Sequence, residues 1–156
     1  MIQRAQSLYL LIGFIAIVVM YFFPFAGLFW GSESGMLYLS SFEAQGTLSD
    51  IYNPMLMLIV SSLTGLGFLV SIFLFKNRVF QMRFNVLVFV FNAALIGLMF
   101  WIPERIADSI STGDFVNVSY KYAGAVMPLI SLLLLVFANR AIRKDEIKVR
   151  AADRLR

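Results

Sequence analysis

Two asparagines, Asn85 and Asn92, lie in a stretch without charge that runs between Arg83 and Glu104. They are seven positions apart, so in a helix they share one face. An amide inside a bilayer needs a hydrogen-bond partner, which is commonly a side chain of a neighbouring helix. Asn92, near the middle of the stretch, is therefore the candidate intramembrane polar contact. It could form a hydrogen bond between helices, or it could contact a ligand or an ion.

The composition of the chain excludes several kinds of catalytic and metal site. The chain has no Cys and no His, which removes disulfides, thiolate metal sites, haem ligation by these residues and histidine acid–base catalysis. The long apolar stretches contain no ionisable residue other than Tyr. Proton relays and most ion-coupled transporters use buried Asp, Glu, Lys or Arg. The sequence therefore predicts no catalytic residue, no metal site and no cofactor.

A second set of candidate residues is basic. Of the 13 Lys and Arg residues, one precedes the first apolar stretch, three lie in a short connection near the middle, and seven lie in residues 140–156. Basic residues near a membrane surface contribute about 1 kcal/mol each to contact with anionic lipid, and they could also dock a protein partner. The candidate contacts to headgroups or to a partner are Arg4, Lys76, Arg78, Arg83, Arg143, Lys144, Arg150 and Arg154.

Four long apolar stretches must position these residues. Hydrophobic residues make up 60% of the chain and charged residues 14%, against roughly 45–50% and about 25% in soluble domains. A helix needs about 20 apolar residues to cross the bilayer core. We predict an all-α integral membrane protein that forms a four-transmembrane-helix bundle. Residues 1–156 form a single membrane domain with spans at 8–30, 54–75, 84–102 and 122–139 and a basic cytoplasmic tail at 140–156.

The distribution of basic residues predicts the orientation. Eleven of the 13 lie in the N-terminus, the second connection and the tail, whereas the first connection has none. The positive-inside rule places both the N- and C-termini in the cytoplasm and the two longer connections outside. The net charge of +4 is thus a topology signal. We expect contact with anionic headgroups and with other membrane protein subunits, and no nucleic-acid partner.

Local features add finer expectations. Pro24 and Pro128 lie inside the first and last predicted spans and should bend those helices. Small residues at four-residue spacing in the second span, and others in the fourth, predict that these two spans pack closely. Segments 36–42 and 115–120 in the outer connections have strand-like composition and could pair into a small β-element.

Three segments resemble a known family. They are residues 1–10 (MIQRAQSLYL), residues 73–78 (FLFKNR) with Gln81 and Arg83, and residues 142–146 (IRKDE) with the end of the chain. The chain resembles a family of short four-span membrane proteins from Bacteroidota that is catalogued as domain of unknown function 4293. The resemblance implies a bacterial inner-membrane location and no particular activity. All three segments lie on the predicted cytoplasmic rim, which is where a partner common to the family would bind.

Two hypotheses follow. The first is a non-enzymatic accessory or assembly subunit of a larger membrane complex, which docks through its helix faces and basic cytoplasmic rim. The second is a small permease or a lipid- or small-molecule-binding membrane protein with a polar path near Asn92 and Pro128. An enzyme is not predicted, because the apolar stretches lack an acid, a base or a metal ligand.

Overall fold

The computed structural model describes residues 3–31, 33–44, 52–110 and 116–153, which form a helical bundle with a small sheet at one end. The helices are α1 (Gln3–Met20), α2 (Met55–Phe73), α3 (Arg78–Ile110), α4 (Tyr122–Ala125) and α5 (Met127–Asp153), and a 3₁₀ turn, Leu74–Lys76, follows α2. The strands are β1 (Ala26–Trp30), β2 (Glu33–Leu37), β3 (Phe42–Ala44) and β4 (Val116–Tyr120).

The four long helices form a closed ring. Helix α1 packs against α2 and α5, and α3 packs against the same two helices, so α2 and α5 lie at opposite corners. The prediction that the second and fourth spans form a close pair is therefore wrong. The small residues of α2 accommodate α1 and α3 instead, since a Cβ at Gly67 would lie 2.7 Å from Val88 Cγ2 of α3. A Cβ at Gly65 would be in ordinary contact with Phe14 of α1, at 3.7 Å.

Three helical segments are long and apolar enough to cross a membrane: Met55–Lys76, Arg78–Ile110 and Tyr122–Val149. They coincide with the second predicted span to within one residue at each end and contain the third and fourth. The apolar part of α1 is shorter, at Gln6–Met20. At 1.5 Å per residue, the whole of α1 spans about 27 Å, slightly less than the bilayer core.

The first helix ends earlier than the sequence predicts. It stops at Met20, and residues 26–30 of the predicted span form β1 instead. Pro24 explains the change, because it lacks a backbone N–H and restricts Phe23 to an extended conformation. Pro24 thus lies beyond the end of a helix that it was expected to bend.

The last predicted span has an interruption near Pro128. Helices α4 and α5 are separated at Val126, and Pro128 occupies the first turn of α5, where a missing N–H costs no helical hydrogen bond. From there α5 runs without a break to Asp153. The described part of the tail, residues 140–153, is therefore helical and extends the fourth predicted span by more than ten residues.

The sheet is antiparallel, with strand order β3-β2-β1-β4. Leu28 of β1 lies opposite Gly35 of β2 on one side and Val118 of β4 on the other. A small β-element is therefore present, but residues 116–120 of the second segment pair with β1 and not with 36–42. The face turned to the bundle carries buried side chains that include Ala26, Leu28, Leu37 and Phe42.

The two ends of the bundle are built from different elements. The sheet end carries β1–β4. The opposite end, which we call the termini end, carries the start of α1 and the last turns of α5, joined by a hydrogen bond from Gln6 to Asp145. The turn between α2 and α3 lies at the termini end too, as Gln81 of α3 bonds the end of α2.

Candidate functional site

The inner face of α3 carries a line of buried polar side chains. Gln81, Asn85 and Asn92 are buried, and they alternate with apolar residues such as Val88 and Leu95 at spacings of three and four. This spacing keeps all of them on one side of a helix. The two asparagines expected to share a face do so.

Asn85 connects three helices. Its Nδ2 donates to Asn139 Oδ1 of α5 at 3.0 Å, and its Oδ1 accepts a short hydrogen bond from Ser71 Oγ of α2. Gln81 Nε2 donates to the backbone oxygen of Ser71 at 2.8 Å. Four side chains from α2, α3 and α5 thus form one hydrogen-bonded layer near the termini end. Asn85 is fully buried.

Asn92 lies farther into the bundle and contacts α5. Its Nδ2 donates to Ser131 Oγ at 2.7 Å, and Ser131 Oγ donates in turn to the backbone oxygen of Pro128 at 2.9 Å. Asn92 Oδ1 is buried and has no hydrogen-bond partner within the described ranges. The side chain therefore links two helices and retains one unused acceptor.

A buried carboxylate, that of Asp145, lies at the termini end. The sequence did not identify it as a candidate residue. Gln6 Nε2 of α1 donates to Asp145 Oδ2 of α5 at 2.9 Å, and both residues are buried. The signal was present in the spacing of α5. The buried positions there follow a three-and-four alternation that reaches Asp145: Ser131, Leu135, Ala138, Ile142 and Asp145.

Four of the eight predicted basic residues line two grooves at the termini end. Lys76 and Arg78 line a groove of about 610 Å³ together with Glu146. Arg83 and Arg143 line a second groove, between α3 and α5, which also contains Arg140. Lys144 is exposed outside both. The side chains of Arg4 and Arg150, and the whole of Arg154, lie outside the described residues.

Comparison with protein families shows which family this chain belongs to. The model of the family described as Domain of unknown function (DUF4293) matches residues 2–155. The chain belongs to this family. Apart from Met1 and Arg156, the match includes all three segments on which the resemblance rests. No protein with a curated description matches the chain.

This DUF4293 member has a third groove at the sheet end, between the start of α2 and the end of α3. It measures about 640 Å³, and its lining includes Leu56, Ile59, Trp101 and Arg105. The Arg105 guanidinium lies 5.3 Å from the Trp101 ring centre, a cation–π contact. Tyr52 borders the groove, and its burial raises the pKa of the phenol to about 12.

Within the described part of the chain, no three Asp or Glu residues come close enough to hold a metal ion. Several buried polar side chains of this DUF4293 protein bond helix to helix: Gln6 with Asp145, Asn85 with Ser71 and Asn139, and Asn92 with Ser131. What this arrangement can do is hold four helices in a fixed order. The surfaces left for other molecules are the grooves and the outer faces of the helices.

Proposed function

We propose that this DUF4293 protein is a non-enzymatic accessory or assembly subunit of a larger complex in the bacterial inner membrane, with four spans and both termini in the cytoplasm. Its interior polar groups support this proposal because they are used to hold its own helices together. A partner would therefore be recognised from outside the bundle. The basic residues at the termini end support the orientation through the positive-inside rule.

The outer face of α2 is the observation that carries the proposal. Large apolar side chains project from it at alternating spacings of three and four, and each is 43–76% exposed: Leu56, Ile59, Leu63, Leu66, Val70 and Phe73. This spacing matches the seam with which one helix packs against another. Leu56 and Ile59 also line the sheet-end groove, so the two features form one continuous surface.

Purification from the native membrane tests the proposal. The tagged protein is extracted in mild detergent, and co-purifying proteins are identified by mass spectrometry. We expect a membrane protein partner in stoichiometric amount. Recovery of the chain alone from several detergents would contradict the subunit role.

Site-specific crosslinking locates the contact. A photoreactive amino acid at Leu63, on the outer face of α2, should form a discrete crosslink to the partner. The same group at Leu133 of α5 is the matched control, because Leu133 is comparably exposed at 56% but lies on a different helix. Equal labelling from both positions would argue against a partner on the α2 face.

The unused Oδ1 of Asn92 supports a second candidate function: a small permease or a lipid- or small-molecule-binding protein. A buried acceptor without a donor costs about 1–3 kcal/mol, so a ligand that donates a hydrogen bond there would be favoured. Replacement by leucine provides the test. If Asn92 contacts a ligand, protein level and assembly should hold in Asn92→Leu. If its bond to Ser131 mainly joins α3 to α5, level or assembly should fall instead.

The two candidate functions predict different results for the small molecules bound to the purified protein. Small molecules extracted from purified wild-type protein and from Asn92→Leu are compared by mass spectrometry. The second candidate requires a compound that is present in the wild type and lost in the variant. Identical extracts would remove it.

A further inference from the structure

The groove between α3 and α5 combines a basic rim with an apolar wall. Its volume is about 480 Å³, within the range of sites that hold small molecules. Met82 and Val86 of α3 and Val136 of α5 form the apolar wall, and Arg83, Arg140 and Arg143 form the rim. The three arginine side chains are exposed.

The groove lies where the charge-free part of each helix ends. Arg83 is the last charge before the apolar run of α3, and Arg140 is the first charge after that of α5. In a membrane this level corresponds to the lipid headgroups, with the apolar wall extending toward the acyl chains. Arg140 and Arg143 are three residues apart on α5, so they project from the same side of the helix.

Asn139 forms part of the lining and fixes the distance between the two helices. Its Oδ1 accepts the hydrogen bond from Asn85 of α3, which joins α3 and α5 at the level of the groove. Its Nδ2 group donates to no described residue and remains available for a phosphate or ester oxygen. The groove therefore has a rigid base with a polar donor next to three guanidinium groups.

We propose that this groove binds one anionic glycerophospholipid, with the phosphate held by the arginines and an acyl chain lying along Met82, Val86 and Val136. Charge complementarity favours this occupant, because no acidic side chain is among the described residues that line the groove. Guanidinium groups bind phosphate oxygens in pairs with matched geometry. The apolar wall favours a lipid over a free phosphate, which would gain nothing from it. This inference goes beyond the proposed subunit role.

The neighbouring basic groove provides the contrast. Lys76 and Arg78 share it with Glu146, so a carboxylate lies among its basic groups. An anion placed there would meet repulsion from that carboxylate. Of the two grooves at the termini end, only the α3–α5 groove combines arginines and an apolar wall with no acidic residue in its described lining.

The test counts lipids on purified full-length protein. Wild type is reconstituted in phosphatidylcholine nanodiscs that contain a minor fraction of phosphatidylglycerol, and native mass spectrometry counts the phosphatidylglycerol retained per chain. The groove variant is Arg83→Gln/Arg140→Gln/Arg143→Gln. The matched control is Arg78→Gln/Lys144→Gln/Lys148→Gln, which removes the same charge from the same end outside the groove.

We expect one retained phosphatidylglycerol in the wild type and in the control. Its affinity for the groove variant should fall on the order of 100-fold, as expected for three basic contacts. Equal loss in both variants would show diffuse attraction to a charged surface, and equal retention in both would show no dependence on the arginines. Either result overturns the proposal.

Two further variants identify the lipid as the occupant and do not depend on folding of the triple variant. Val136→Trp keeps every charge but fills the apolar wall, so it should reduce retention of phosphatidylglycerol. Arg140→Lys keeps the charge but loses the paired geometry, so it should weaken retention severalfold. If inorganic phosphate displaces the lipid and Val136→Trp has no effect, the groove binds a soluble anion and the proposal fails.

Discussion

The termini end and the sheet end hold the same helices together by different means. At the termini end, helices are joined by individual side chains, such as Gln6 with Asp145 and Asn85 with Asn139. At the sheet end, backbone hydrogen bonds pair β1 with β2 and β4. A side-chain bond depends on two particular residues, whereas a strand pairing tolerates many sequences that can adopt an extended backbone.

Because of this difference, we expect the two ends to respond differently to a substitution. Loss of one amide at the termini end removes one or two hydrogen bonds and leaves the helices intact. The sheet end depends instead on where α1 stops and on how closely α4 approaches the chain before β1. We therefore expect the sheet end to show all-or-none effects and the termini end to show graded ones.

The largest expected effect is a disulfide across the sheet. Phe29 of β1 and Asn117 of β4 are direct partners, and such partners have Cα atoms about 4.5–5.5 Å apart, within the range a disulfide needs. Because the chain has no Cys, Phe29→Cys/Asn117→Cys should form the only disulfide. We expect nearly complete oxidation by copper phenanthroline, measured by mobility on non-reducing gels.

A register-shifted pair controls this experiment. Phe29→Cys/Val118→Cys places the thiols on opposite faces of the sheet, so little disulfide should form. If α1 instead continued as a helix to Trp30, residue 29 would not face residue 117. Neither pair would then oxidise, and the contrast between the two ends would disappear.

The same contrast explains what could be read from the sequence. Helix type and the apolar runs followed from charge-free length, because bilayer thickness sets that length independently of tertiary contacts. The shared face of Asn85 and Asn92 followed from helical periodicity. The conversion of residues 26–30 to a strand did not, because an apolar run reads equally as buried helix or strand. Only Pro24 marked the boundary, and it was read as a bend.

The sequence also could not predict which helices pack against each other. Small residues in α2 indicated close approach but did not identify the neighbour, which depends on the ring order of all four long helices. Asp145 was missed for a related reason. A charged residue just beyond an apolar run is usually solvated, and its burial depends on Gln6, which lies 139 positions away.

The next largest effect concerns the backbone contact beside the sheet. A Cβ at Gly124 of α4 would lie 2.5 Å from the backbone oxygen of Pro24, and backbone cannot move aside as a side chain can. Gly124→Ala should therefore destabilise the protein by about 1–3 kcal/mol, as overpacking does. The measurement is the midpoint of thermal unfolding in detergent.

Gly97 of α3 is the matched control for this substitution. A Cβ there would meet nothing within 4 Å, and alanine is a better helix former than glycine by about 1 kcal/mol in water. Gly97→Ala should leave the midpoint unchanged or raise it. A similar decrease in both variants would show that glycine content, and not the contact with Pro24, determines the stability of this end.

The smallest effect tests the termini end with a double-mutant cycle of Asn85→Ala and Asn139→Ala. The coupling energy should be about 0.6 kcal/mol and not above about 1.7 kcal/mol, as found for hydrogen bonds between membrane helices. Asn85→Ala alone should cost more than Asn139→Ala, because Ser71 loses its acceptor as well.

In the control cycle, Asn85→Ala with Leu133→Ala, the exposed leucine makes no contact with the layer, so the effects should add within about 0.5 kcal/mol. Zero coupling between the asparagines would mean that their hydrogen bond does not stabilise the termini end, and the distinction between the two ends would then rest on the remaining bonds there, such as Gln6 with Asp145, and on the sheet.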